Sequence, residues 1–332
     1  MFTTRTLKVA STLAIVGLVA LSLGDDDRAQ KYLTRSITGA YNANIIAIQS
    51  QKTEDKGTVT VKVMRSKSGK ISHSVTYPLH MQREYVDDGK TATTYLPDLK
   101  AIFVQPSNLT SQDNNFRLGL IQKNYTLKSD TGKKIKGRRC IIVTAVSKYS
   151  QVPTTRYHFD EATGFPMLVE TVLSNGDVIN SSEVIDIQFP PKLSDSLFEI
   201  HTPAGVDTIN NREPQGISKL SEAARLLGFT PILPSKIPFG FQLQRITVAS
   251  DKGVKMLALK LSDGIQRVTV YEWKYVPGED VNTGEASVFQ VYKGLRITVV
   301  SDFGSDLRES FLKPFLARAD RENPVVLTSV GF

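Results

Sequence analysis

The sequence predicts an α+β fold in which a large antiparallel sheet is followed by a smaller α+β domain. Short segments with alternating apolar and polar residues recur along most of the chain, and turn-forming Gly, Asn and Asp residues separate them. A helical pattern follows the last of these segments, which is the order of an α+β arrangement. The 332 residues are enough for two domains of ordinary size.

The first half begins with a short helix and continues as strands. Residues 28–38 are predicted to be helical because Leu33 and Ile37 are four residues apart and acidic residues precede them, at the positive end of the helix dipole. In 58–65, valines alternate with polar residues, which is a strong strand pattern. The strands predicted in this half are 41–49, 58–65, 72–77, 82–86, 91–95 and 100–104.

The stretch 124–198 predicts four or five further antiparallel strands. Its turns at 160–164 and 175–177 contain Gly and Asn, which accept the positive φ that tight turns need. Met167 and Val169 fall on one face of their strand, and the residues between them fall on the other. The stretch contains no plausible catalytic cluster, and a large sheet without a reactive centre usually binds something instead of converting it.

The second half predicts a helix, five strands and a last helix. Ser218 can cap a helix that runs to Leu227, and Gly228 ends it. A final helix begins near Ser305, and Pro314 is expected to bend it or end it early. The strands predicted between the helices are 242–249, 255–261, 266–273, 287–292 and 295–300, with hairpin turns at 263–264 and 293–294.

Two segments without periodicity divide the chain. Residues 105–118 are polar, and we expect either a plain surface connection or a loop that covers a cavity. Residues 201–216 are rich in Pro, Gly and Asn, as is typical of a linker. The predicted organisation is a leader at 1–24, a first domain at 25–200, a linker at 201–216 and a second domain at 217–332.

The leader resembles an export signal. Arg5 and Lys8 precede the apolar stretch 9–23, and small residues stand before a possible cleavage site at Asp25. The apolar stretch is short for a membrane span, which needs about 20 residues; an uncleaved amino-terminal anchor is the alternative. No lipid anchor is expected, because Asp25 stands where a lipidated Cys would be. The expected location is the periplasm or the cell envelope.

The charge of the chain favours an anionic partner other than nucleic acid. The formal net charge is +8, which promotes contact with membrane head groups or acidic proteins. The basic residues are scattered, and the densest run is only 133–139, which could equally be the solvated edge of a hairpin. We therefore expect no nucleic-acid partner.

The residue patterns of common catalytic and metal sites are missing. None of the four His residues has zinc-ligand spacing to another His or to Cys140, and His158 near Asp160 is only a weak candidate. There is no G-x-S-x-G, no phosphate-binding Gly-rich loop and no H-E-x-x-H. Cys140 lies in an apolar run and is expected to be buried. The prediction is a protein without enzymatic activity, catalytic residues, metal or cofactor; a site assembled from distant residues stays open.

The predicted sheet has more apolar surface than the predicted helices can cover. About ten curved strands with one clear helix leave a face that must meet another element, a ligand or a partner. We therefore predict a lipid-sized cavity on this face; the alternative, which is the default expectation for the aromatic side chains of the sheet, is a packed core. The candidate ligand-binding residues are Val59, Val61, Val63, Met167 and Val169.

Several turns and strand ends together resemble a known family. In the first domain the relevant motifs are Asp88-Gly89-Lys90, Tyr95-Leu96-Pro97, Asn124-Tyr125, Gly137-Arg138-Arg139, Tyr157-His158-Phe159-Asp160, Thr163-Gly164-Phe165-Pro166 and Phe189-Pro190-Pro191. In the second they are Gly228-Phe229-Thr230-Pro231, Gly240-Phe241 and Ser262-Asp263-Gly264. This pattern resembles the periplasmic LolA-like superfamily, and the order of parts is similar to the MucB/RseB proteins that regulate an envelope-stress sigma factor.

The resemblance implies a fold and a function. It implies an amino-terminal β half-barrel covered by helices, with a concave surface for acyl chains of lipoproteins or lipopolysaccharide, and a smaller α+β domain. It also implies binding to the periplasmic part of a membrane-bound anti-sigma factor. It supplies no catalytic residues, and the sparse helical cover between residues 105 and 118 departs from the family.

Three functions remain open from the sequence. The first is an exported protein that binds acyl chains in the half-barrel and regulates an anti-sigma factor. The second is a lipoprotein carrier of the LolA type or a protein-interaction module without a lipid ligand. The third is an envelope hydrolase with a dispersed site.

Overall fold

The structure is a computed structural model that describes most of the chain. The described residues are 27–53, 57–76, 82–97, 100–107, 109–201, 204–210, 219–251, 254–277 and 287–322. The predicted leader, Ser218 and residues 211–216 of the predicted linker lie outside them. None of the helices in the described ranges is both long enough and apolar enough to cross a membrane.

The first domain contains helices α1 and α2 and most of the strands. Helix α1 covers residues 27–38, as predicted, and helix α2 is Ser111–Asn124. The strands before α2 are β1 Ile45–Thr53, β2 Gly57–Arg65, β3 Ile71–Thr76, β4 Arg83–Asp87, β5 Thr91–Leu96 and β6 Ala101–Pro106. Those after it are β7 Tyr125–Thr131, β8 Cys140–Ser147, β9 Thr154–Asp160, β10 Pro166–Val172 and β11 Val178–Gln188, and a short strand, β12 Asp207–Asn210, follows.

These strands form one open sheet. In the described residues its order is β12-β6-β5-β4-β3-β2-β1-β11-β10-β9-β8-β7, so two meanders join where β1 pairs with β11. All neighbours are antiparallel except β12, which pairs with β6 in parallel. Because β12 lies within 201–216, part of the predicted linker is ordered on the sheet edge. The domain boundaries remain a prediction.

Helix α2 corrects the prediction of an irregular segment at 105–118. Thr110 caps the helix, since its Oγ1 accepts a hydrogen bond from the backbone N–H of Asp113 at 3.2 Å. A Thr followed three residues later by an acid is a capping signal that the sequence reasoning missed. The apolar pattern of α2 is weak because the helix contacts both domains. Asp113 and Arg117 form hydrogen bonds with the second domain, while Ile121 is buried in the first.

The second domain is a five-stranded antiparallel sheet with helices on one face. Its strands are β13 Gln242–Asp251, β14 Val254–Ser262, β15 Arg267–Lys274, β16 Ser287–Tyr292 and β17 Leu295–Val300, in the order β13-β14-β15-β17-β16. Helices α3 Leu220–Leu227 and α4 Ser305–Glu322 pack on it. Gly228 ends α3 with a φ of 70°, as predicted. The α+β class, with a large open antiparallel sheet and a smaller α+β domain, is confirmed.

Pro314 was predicted to bend helix α4 or to end it early, and the structure excludes the early end. The helix continues through Pro314 to Glu322. Pro cannot donate the hydrogen bond of its own position, but Phe311 and Phe315 on either side of it are fully buried in the domain core. Their packing against the sheet maintains the helix past the proline.

Candidate functional site

Cross-strand pairing brings the predicted ligand-binding residues onto one face of the large sheet. Val59 lies opposite Gln51, Gln51 lies opposite Ser182, and Ser182 lies opposite Val169. Residues directly opposite in neighbouring strands point to the same side, so Val59 and Val169 share a row although β2 and β10 are not neighbours. We call this side the concave face. Val61, Val63 and Met167 lie in the same buried cluster as Val59.

Four of the five candidates are packed inside the core of the first domain. Their relative exposures are 9% for Val59, 2% for Val61, 4% for Val63 and 0% for Met167. The cluster also contains Tyr41, Ile45, Ala47, Val75, Ile135, Cys140, Phe165 and Val184. At these positions the alternative considered from the sequence, a packed core, describes the structure. Cys140 is buried in it, and burial raises the pKa of its thiol.

Val169 lies in a partly open row beside this cluster. With Gln51, Ser182 and Tyr157 it forms a row that we call the middle strip, and all four are partly exposed. On the far side of the strip the second domain begins, since Gln266 Nε2 donates to Thr155 Oγ1 at 3.0 Å. The middle strip therefore runs between the packed cluster and the second domain.

The basic run 133–139 covers the packed cluster. Ile135 is buried in it, and Arg138 donates to Asp160 through Nε at 2.7 Å and Nη2 at 2.9 Å. Burial raises the pKa of Asp160, but hydrogen bonds from Arg138 and Thr163 outweigh this and lower it overall. The run is therefore more than a solvated hairpin edge, because Ile135 and Arg138 attach it to the domain. Four of its cations remain exposed, namely Lys133, Lys134, Lys136 and Arg139.

A second polar group on the concave face was missed by sequence reasoning. Arg65 is partly buried close to Tyr41, Tyr85 and Asp87, and this burial lowers the pKa of its guanidinium. Tyr85 donates to Asp87 Oδ2 at 2.8 Å. Burial, and then the charges of Arg65 and Arg83, lower the pKa of nearby His73 to about 3, so His73 is neutral at ordinary pH. The sequence of each strand alone does not predict this polar cluster, because the residues come together only across β2, β3 and β4.

Helix α2 and the β14–β15 turn join the two domains through buried hydrogen bonds. Tyr125 donates to Asp263 Oδ2 at 2.6 Å, and Asn124 Nδ2 donates to the carbonyls of Gly240 and Asp263, both at 3.0 Å. Arg117 Nε donates to the carbonyl of Gly264 at 3.1 Å. Burial raises the pKa of Asp263 to about 6, although Tyr125 and two backbone N–H groups donate to its carboxyl. The second domain is thus attached to the first through these hydrogen bonds.

Glu272 makes the stability of the second domain depend on pH. It is 0% exposed, its Oε2 accepts from the backbone N–H of Ile232 at 2.9 Å, and burial raises its pKa to about 8. Because the folded-state pKa exceeds the ordinary value of 4.5, the stabilising contribution of Glu272 is fully present below pH 4.5 and is lost as pH rises through about 8.

We expect Glu272→Gln to remove this loss. In the unaltered chain the loss lowers the free energy of unfolding by at most about 1.4 kcal/mol per pH unit. The difference is measured by urea unfolding of both proteins in buffers between pH 5 and pH 9 at roughly equal ionic strength. If the free energies of unfolding of the two proteins change in parallel with pH, the prediction is contradicted.

The described residues offer no obvious chemistry for catalysis by a metal. No group of three or more His, Cys, Asp or Glu residues within the described ranges could hold a metal ion. His158 lies 3.5 Å from Glu170 Oε2, and burial lowers its pKa. The weak candidate pair named from the sequence, His158 and Asp160, is thus engaged with Glu170 and Arg138 respectively.

Comparison with known proteins relates this fold to solved structures. Neither protein-family models nor curated proteins give a match. A complex of MucA and MucB from Pseudomonas aeruginosa is similar, with 13% identity, a TM-score of 0.58, and coverage of 86% of this chain and 96% of that chain. A structure of MucB alone has 13% identity and a TM-score of 0.58, covering 88% and 96%. A third, MucB with MucA(peri), has 12% identity and a TM-score of 0.57, covering 86% and 97%.

At such low identity these likenesses establish the fold alone. They extend over both domains, and the sequence motifs had indicated the same architecture. The chain therefore has a fold similar to that of MucB.

Proposed function

We propose that this chain is an exported envelope protein that binds other molecules without converting them. In this proposal the first domain binds an acyl chain of a lipoprotein or of lipopolysaccharide along the middle strip, and the protein also binds the periplasmic part of a membrane-bound anti-sigma factor. The leader at 1–24 would direct export, either cleaved or retained as an anchor. The observation that carries the proposal is the concave face, where a partly open row borders a packed apolar cluster.

The middle strip supports the lipid part of this proposal. Val169 and Tyr157 are directly opposite each other and partly exposed, so they offer apolar surface without any unfolding. Each methylene that leaves water contributes about 0.8 kcal/mol, so a chain of about a dozen carbons could bind measurably even after ordering costs. Deeper entry would require the segment with Ile135 to move away from the cluster.

Charge and fold support the partner part of the proposal. The exposed cations of the run 133–139 form a positive surface that suits an acidic segment. MucB, which has a similar fold, has been solved in complex with MucA. A lipoprotein carrier of the LolA type is the second candidate, favoured by the partly exposed Val169 and Tyr157 of the middle strip; in that case lipid binds and no anti-sigma factor does.

We expect Val169→Glu to weaken the binding of a fluorescent fatty acid at least about tenfold, because a carboxylate in the middle strip would have to be desolvated beside the acyl chain. The protein should stay folded, since Val169 is partly exposed and the new carboxylate can reach water. Binding is measured by fluorescence titration with the full chain, and folding by circular dichroism.

The matched control is Val146→Glu, the same substitution at an exposed strand position on the opposite face of the sheet. It should leave fatty-acid affinity unchanged. Equal weakening in both variants would refute the middle strip as the site. If the unaltered chain binds no fatty acid, the lipid part fails and the protein-interaction module without lipid becomes the better description.

A further inference from the structure

The domain interface contains a cleft with an excess of positive charge, and we propose that it binds a tetrahedral oxyanion such as phosphate or a phosphate monoester. The cleft has a volume of about 80 Å³. We call it the basic cleft, and its lining includes Asp113, Arg117, Gln244, Arg245, Lys260 and Arg267. This proposal does not depend on acyl-chain binding, because the middle strip and the basic cleft share no residue.

Asp113, the one acid among the described residues that line the basic cleft, already accepts hydrogen bonds from three side chains. Asp113 accepts from Arg245 Nη2 at 2.7 Å and from Gln244 Nε2 at 3.2 Å, and Thr110 Oγ1 donates to it at 2.9 Å. Asp113 therefore compensates Arg245. Among the described residues, no carboxylate forms an ion pair with Arg117, Lys260 or Arg267.

Two of the uncompensated cations, Arg117 and Lys260, are partly withdrawn from water, whereas Arg267 is exposed. Burial, and then the charges of Arg245 and Arg267, lower the pKa of Lys260. Burial, and then the charge of Arg267, lower the pKa of Arg117 to about 10, although Asp263 lies near enough to oppose this. Lys260 is also directly opposite Arg245 in the β13–β14 pair, where like charges are destabilising. The cations of the cleft repel one another, and Arg117 and Lys260 are partly buried, both of which cost free energy. A bound anion would offset this cost.

The size and geometry of the basic cleft suit a small, highly charged anion. One water needs about 10–15 Å³ of such volume, so the cleft accommodates a group of several heavy atoms. A phosphate ester carries between about −1.5 and −2 charges near pH 7, which several cations can share, whereas a carboxylate carries one. Arg117 belongs to the first domain and Lys260 to the second, so the bound anion would contact both domains. Occupancy should therefore stabilise the docked arrangement.

The test is titration of the full chain with inorganic phosphate and with dodecyl phosphate. Calorimetry measures the affinity, and thermal unfolding measures the rise in Tm. Lys260→Met keeps an unbranched, flexible side chain that is one heavy atom shorter and removes its charge. We expect it to weaken binding about tenfold, the effect of one lost charge-assisted hydrogen bond. Without phosphate its Tm should equal or exceed that of the unaltered chain, because a like charge has gone. Lys313→Met is the control, because Lys313 is exposed on α4 and does not line the cleft.

The outcomes separate the possible sources of the anion. Binding of inorganic phosphate that is lost in Lys260→Met and kept in Lys313→Met supports a site for a free ion. Binding of dodecyl phosphate alone, with the same dependence on Lys260, supports a site for the head group of an amphiphile. The proposal is overturned if neither compound binds or if Lys260→Met binds as the unaltered chain does. Should Lys260→Met fail to fold, Arg267→Gln at the exposed wall takes its place. Val169→Glu should leave phosphate binding intact.

Discussion

Replacing Gly264 with alanine is expected to lower the free energy of unfolding by about 2–4 kcal/mol, the combined cost of overpacking and of an unfavourable backbone conformation. Gly264 has a φ of +108°, which residues with a side chain rarely adopt. An added Cβ would lie 2.7 Å from the carbonyl oxygen of Arg117 and from the backbone nitrogen and Cγ1 of Ile121. Backbone atoms of a helix cannot move aside cheaply, so α2 and the β14–β15 turn would have to separate.

Gly294→Ala is the matched control for this prediction. Gly294 is also a hairpin-turn glycine with a positive φ, of +76°, but among the described residues only its own chain neighbours come within 4 Å of an added Cβ. It should lose only the conformational cost, about 1–2 kcal/mol. Both variants are measured by urea unfolding. Equal losses would mean that the close approach of α2 to the β14–β15 turn contributes nothing to stability, contrary to the interface described above.

The second large effect is expected at Val61, where aspartate should destabilise the first domain by more than about 4 kcal/mol or prevent folding. Val61 is 2% exposed and packed in the cluster with Met167, so the new carboxylate would be buried without a partner. Val146→Asp, at an exposed strand position, should cost no more than about 1 kcal/mol. Chemical unfolding followed by circular dichroism measures both.

The result at Val61 also separates the two descriptions of the concave face. A Val61→Asp protein as stable as the unaltered chain would mean that this part of the face is open to water. The acyl site would then extend from the middle strip to Val59, Val61 and Val63. Severe destabilisation would confine a ligand to the middle strip unless the segment with Ile135 moves.

The strands were predictable because each carries its own local signal. Alternating valines predict β2, and Gly228 predicts the end of α3 whatever surrounds it. The face of the candidate valines was also predictable, since period-two alternation places Val59, Val61 and Val63 together. Their burial was not, because Tyr41, Ile135 and Phe165, which pack on them, come from distant parts of the chain.

The features that were missed depend on contacts between distant segments. Helix α2 has no regular apolar period in its sequence, because the side that carries Asp113 and Arg117 bonds to groups of the second domain. Those groups lie over 100 residues away in the chain. The basic cleft arises from residues on α2, β13, β14 and β15, none of which forms a motif by itself. The early end considered for α4 at Pro314 was wrong, because local helix rules omit the packing of Phe311 and Phe315.

The central claim, that this protein binds an apolar ligand in its first domain, is tested most directly by native mass spectrometry of the full chain purified from an envelope fraction, with organic extraction of bound material. We predict a bound molecule that contains an acyl chain, and its loss in Val169→Glu but not in Val146→Glu. A ligand-free mass, together with no binding of added fatty acid, would contradict the claim.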